Sequence, residues 1–71
     1  MNNIEVLATS QNKNCSLFAQ TILMFKNSQG FYSRLFSRIM DLEPEELEEL
    51  MVELRTQDFK DTLDVVLWLE K

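Results

Sequence analysis

A chain of 71 residues makes one domain and buries only about 60% of the surface that its unfolded form exposes. With one cysteine, Cys15, and no histidine it has no intramolecular disulfide and no His-containing zinc site, so apolar packing and self-association are the staples left to it. Its net charge of −5 is unevenly spread, +3 over residues 1–40 and −8 over residues 41–71.

Residues 1–14 are expected to be a flexible or irregular segment ahead of a single helical domain over residues 15–71. Within that segment Ile4–Ala8 suits either a short strand or one helical turn, and the polar run Thr9–Asn14 has the composition of a loop. Ser16 is placed to cap a helix through Lys26, since its hydroxyl can accept from an orphan backbone N–H. Leu17, Phe18, Ile22 and Phe25 share one arc of that helix and Leu23 stands away from it, so the helix is apolar nearly all round and suits a core or an interface. Leu17–Phe25 is interrupted by Gln20 and Thr21 and falls far short of the roughly 20 residues that a membrane span needs. The N-terminus has no basic stretch followed by an apolar core. A cytoplasmic protein without a membrane segment is expected.

Ser28 is placed to cap a second helix over about Gln29–Met40, with Phe31, Tyr32, Leu35, Phe36, Ile39 and Met40 on its apolar arc. A single helix from Leu17 to Met40 is the alternative, because the two arcs stay nearly in register; Gly30 speaks against it, since glycine costs roughly 1 kcal/mol in a helix interior. The third helix, residues 44–55, carries the fullest set of signals. Pro44 suits the first helical position, Glu46 the acid of a capping box, and Leu42 and Leu47 a hydrophobic staple. Leu47, Leu50, Met51 and Leu54 recur at helical spacing, with Glu45, Glu48, Glu49 and Glu53 opposite. The last segment, Phe59–Lys71, reads as a helix capped by Asp58 or Asp61, or else as a short strand at Val65–Leu69 pairing with residues 4–8. The fold expected is all-α, a small bundle of three to four helices, with an α+β arrangement as the alternative.

Function is read largely by exclusion. Without histidine the commonest general acid–base is missing, and Cys15 has no neighbouring base to make it a nucleophile. The glutamates of the third helix lie on a solvated face rather than in a cleft that desolvates them. No enzyme, cofactor or metal site is expected. Direct nucleic-acid binding would rest on Arg34 and Arg38, with Lys26, too few cations for a phosphate-binding ridge; an acidic face that imitates DNA is a further alternative. The two arginines can instead bridge to Glu48, Glu49 or Glu53, and the two oppositely charged halves can neutralise each other by packing together. The hydrophobic content of 45% is generous for so small a domain and points to a protein partner or a homodimer. Trp68, at the margin of its helix, either closes the core or anchors such a contact, and Tyr32 has the same two readings. The candidate partner-binding residues are therefore Trp68, Tyr32, Arg34, Arg38, Glu45, Glu48, Glu49 and Glu53.

The runs Ser28-Gln29-Gly30-Phe31-Tyr32-Ser33-Arg34-Leu35 and Asp58-Phe59-Lys60-Asp61-Thr62-Leu63-Asp64-Val65-Val66-Leu67-Trp68-Leu69-Glu70 resemble small proteins, without an assigned activity, that are encoded on phages and conjugative elements of Gram-positive bacteria. The likeness covers residues 28–70 and implies a cytoplasmic accessory or regulatory role. It transfers no functional residue.

Overall fold

The first turn of the chain is already helical. Asn2 caps α1 (Asn3–Ala8) by accepting from the Glu5 N–H at 2.8 Å, while the Glu5 carboxylate accepts from the Asn2 N–H at 3.2 Å. Ile4 and Leu7, three residues apart, share the inner face and are buried. Asn3 donates to the carbonyls of Ile39 and Leu42, both at 2.8 Å, at the distant end of another helix, where the Ile39 carbonyl also accepts from the Leu42 N–H at 3.3 Å. Residues 3–8 are thus neither irregular nor extended. A reciprocal cap and a tie to the far end of the chain hold a helix too short to stand alone.

The computed structural model describes all 71 residues and contains five helices, one or two more than expected. α2 (Lys13–Met24) starts earlier than Ser16 allows, because Asn12 is its cap and accepts from Asn14 N–H at 3.0 Å and Cys15 N–H at 3.3 Å. It is the central element, burying Cys15, Phe18, Ala19 and Ile22 against the other four helices. Thr21, also buried, donates its hydroxyl to the Leu17 carbonyl at 2.8 Å and so adds no unsatisfied group to the core.

One long helix through residue 40 is not formed. α2 ends at Met24, and Gly30, the last residue of the connection to α3 (Phe31–Asp41), has φ +79° and ψ −133°, a conformation open to glycine and strained for any other residue. Gly30 itself stands at the N-cap in place of Ser28, with no side-chain bond.

α4 (Pro44–Arg55) forms as expected, with Pro44 in its first turn and the Glu46 carboxylate accepting from the Glu43 N–H at 2.9 Å. α5 (Thr62–Leu69) is capped by Asp61, which accepts from the Asp64 N–H at 3.2 Å. Both halves of the alternative strand pair are helical, so the fold is all-α. The radius of gyration, 11.1 Å, matches the roughly 11 Å of a single compact unit of this length.

A buried amide fastens the far end of α4 to α2. Asn14 donates to the carbonyls of Leu54 at 2.9 Å and Gln57 at 2.6 Å, and its oxygen accepts from the Phe59 N–H at 3.3 Å. Two acceptors on one side and a donor on the other fix the orientation of the amide. The chain therefore leaves α4 toward Phe59, whose ring is buried and edge-on to Trp68 of α5.

α3 packs on α1 and α2 rather than lying as a hairpin against α4. Arg34 and Arg38 accordingly form no ion pair with the α4 glutamates; the one ion pair, Arg55 to Glu48 at 3.9 Å, lies within the acidic half. The two halves pack together without ion-pairing across the divide.

Candidate binding cleft

The divergence of α3 from α4 leaves a cleft of about 370 Å³ open to solvent. Buried Phe18 of α2 lies at its base, and Leu35 and Ile39 of α3, Leu42 of the α3–α4 connection, Leu50 of α4, and Trp68 and Leu69 of α5 line it. Apolar side chains dominate the interior because α3 and α4 both turn amphipathic faces inward and the chain has too few residues to cover them. Ile39 is buried, whereas Leu35, Leu42, Leu50, Trp68 and Leu69 are only half-buried against the core.

The rim is charged and lopsided. Glu46, Glu49 and Glu53 recur at i, i+3 and i+7 along α4, which puts them in one row about 10 Å long. Arg38 stands alone on the α3 side. Glu46 spends one oxygen on the helix cap, while Glu49 and Glu53 are exposed and have no cationic partner.

Trp68 belongs to both core and cleft. Its ring meets Phe18 edge-on at 6.4 Å between centroids and Phe59 edge-on at 5.8 Å, so packing holds it in place while one side faces the opening. Of the residues expected to bind a partner, Trp68, Arg38, Glu49 and Glu53 converge here. Arg34, Glu45 and Glu48 are exposed elsewhere, and Glu48 is held by Arg55.

Tyr32 sits apart from the cleft. It stacks on Phe25 at 4.5 Å and meets Phe31 edge-on at 5.2 Å, in a shallow hollow shared with Leu69 and Glu70. Its hydroxyl oxygen is buried, and that burial, followed by the negative charge of the neighbouring Glu70 carboxylate and its pull on the hydroxyl proton, pushes the phenol above its ordinary 10.0. Cys15 is fully buried, and burial pushes its thiol above 9.0 despite the opposing effect of Ser10.

These two groups set an alkaline limit on stability. Each holds its proton to higher pH in the folded chain than in the unfolded one, so the folded state is favoured in full below the unfolded values and loses stability as pH rises through them. Loss begins with Cys15 above pH 9.0 and continues with Tyr32 above pH 10.0. Urea denaturation across this range should show a falling unfolding free energy, and Cys15→Ala should delay the fall; a flat profile in the parent chain would refute the assignment.

The cleft residues that sequence reasoning left out are Phe18, Leu35, Ile39, Leu42, Glu46, Leu50 and Leu69. The available signal was quantitative: two amphipathic helices offered more apolar surface than so small a core can bury. No group of three His, Cys, Asp or Glu side chains is arranged to hold a metal ion, and no helix is long and apolar enough to cross a membrane. Comparison with protein-family models, curated proteins and solved structures finds no match.

Proposed function

We propose that this chain is a non-catalytic protein-interaction module, of accessory or regulatory type, whose contact surface is the cleft between α3, α4 and α5. The observation that carries the reading is an open apolar cleft lined by a tryptophan, with glutamates lacking cationic partners on one rim. Half-buried aromatic and aliphatic side chains within a polar rim are how binding surfaces concentrate their energy. Binding to nucleic acid is less well supported, because Arg38 shares its opening with three glutamates that repel phosphate. Its test is a photo-crosslinking residue at Leu50 or at Val52, in cells that produce the protein. Leu50 lines the cleft and Val52 is exposed outside it. Adducts from position 50 and none from position 52 are expected, and the reverse would contradict the reading.

A second reading, weak self-association, is favoured by the outer face of α5. Leu63 and Leu67, four residues apart, are 60% and 55% exposed. An antiparallel pairing that sets Leu63 of one copy against Leu67 of the other also sets Lys60 of one against Glu70 of the other. The stripe is therefore self-complementary in charge as well as apolar. Light scattering should give a mass that rises with concentration and stays monomeric in a Leu63→Ser, Leu67→Ser double variant. A strictly monomeric parent chain at about 1 mM would rule this out.

A further inference from the structure

The walls of the cleft differ in charge, and that difference selects an occupant, on the reading that the cleft is the binding surface. The α4 wall presents Glu46, Glu49 and Glu53 in one row; the α3 wall presents only Arg38. No ion pair joins the walls, and Glu49 and Glu53 pair with no cation anywhere in the chain. Between the walls the lining is apolar, with half-buried Leu35, Leu42, Leu50, Trp68 and Leu69 over a base that includes the buried Phe18 and Ile39. The surroundings are helical throughout and offer no exposed sheet edge to which a strand can add.

We infer that the occupant is an amphipathic helix of another protein, with an apolar stripe seated on the cleft lining and Lys or Arg at i, i+3 or i+4, and i+7 along the edge that meets α4. That spacing matches the glutamate row, since both helices repeat every 3.6 residues. Cations on the opposite edge are disfavoured by Arg38. A second copy does not fit, because no helix of this chain carries three cations at that spacing: α2 holds Lys13, α3 holds Arg34 and Arg38, α4 holds Arg55 and α5 holds none. A phosphate backbone would be repelled by the α4 wall.

The test uses the full chain and two helical peptides free of tryptophan, identical in their leucine stripe, one with Lys and the other with Glu at the three edge positions. Trp68, the sole tryptophan, reports occupancy by its fluorescence. The Lys peptide should bind at least about tenfold more tightly than the Glu peptide and weaken with added salt. A Glu49→Lys, Glu53→Lys double variant should reverse that order. Both residues are exposed, so these replacements leave the core untouched, which circular dichroism checks. Equal binding of the two peptides, or an order unchanged in the double variant, overturns the cationic occupant and leaves the cleft as a binding surface. Silence of Trp68 toward both peptides at about 1 mM overturns the two together.

Discussion

Asn14→Leu is expected to lower the unfolding free energy by about 3 kcal/mol, because it leaves buried backbone groups without partners in place of three hydrogen bonds. The Gln57 carbonyl and the Phe59 N–H lose their bonds to Asn14, while the Leu54 carbonyl still accepts from the Gln57 N–H at 3.1 Å. For a domain of this size the midpoint of thermal unfolding should fall by about 15 °C. Asn14→Asp separates hydrogen bonding from packing, since the two side chains are nearly the same shape. The new carboxylate still accepts from Phe59, but its second oxygen faces the Leu54 and Gln57 carbonyls, both acceptors. This variant should therefore be less stable than the parent chain at neutral pH and recover part of the loss in acid, where a protonated carboxyl donates once. An Asn14→Asp protein as stable as the parent at neutral pH would show that the amide does not fasten α4 to α2.

Phe18→Ala is expected to cost about 4 kcal/mol, which for a chain of this length removes most of its stability. Phe18 is 1% exposed at the middle of α2, and its loss leaves a void that five short helices cannot collapse to fill. It also removes one of the two rings that hold Trp68 edge-on. The milder Phe18→Leu should cost about 1.5 kcal/mol and leave the chain folded. In that variant the cleft deepens and Trp68 emission shifts to longer wavelength as water reaches its ring. Chemical denaturation and the emission spectrum check the pair; an unchanged spectrum in Phe18→Leu would mean that Phe18 does not shape the cleft.

α4 was the most legible element, because several local signals agree there. Pro44, Glu46 and the Leu42 and Leu47 spacing mark α4 from its own neighbourhood, and it folds with the expected bounds. α1 was legible only as one of two readings, a strand or a helical turn, because much of what decides between them is Asn3 bonding residues 36 and 39 positions away. Asn14 looked like one more polar residue before a helix, yet its partners lie 40 to 45 positions along the chain. The cap of α2 at Asn12, and so the true start of the domain's central helix, was masked by the same polar run.

The cleft repeats this pattern. Trp68, Arg38, Glu49 and Glu53 carry chemistry that marks them as candidates, and they do converge. Arg34, Glu45, Glu48 and Tyr32 carry the same chemistry and lie outside the cleft, since helical phase and the packing of α3 and α4 together decide which residues meet. Asn3 holds the end of α3 beside α1, and Asn14 holds the end of α4 beside α2. Two asparagines thus set the spacing that leaves Leu35, Leu42 and Leu50 half-exposed as cleft lining instead of core.

Seating of a partner helix in this cleft would perturb its lining and leave the other exposed apolar side chains unchanged. Methyl-resolved NMR of the full chain, titrated with the lysine-edged peptide, tests it most directly. The account predicts shifts for the methyl groups of Leu35, Ile39, Leu50 and Leu69, with Val52, Leu63 and Leu67 unmoved. Shifts confined to Val52, Leu63 and Leu67, or none at saturating peptide, would contradict it.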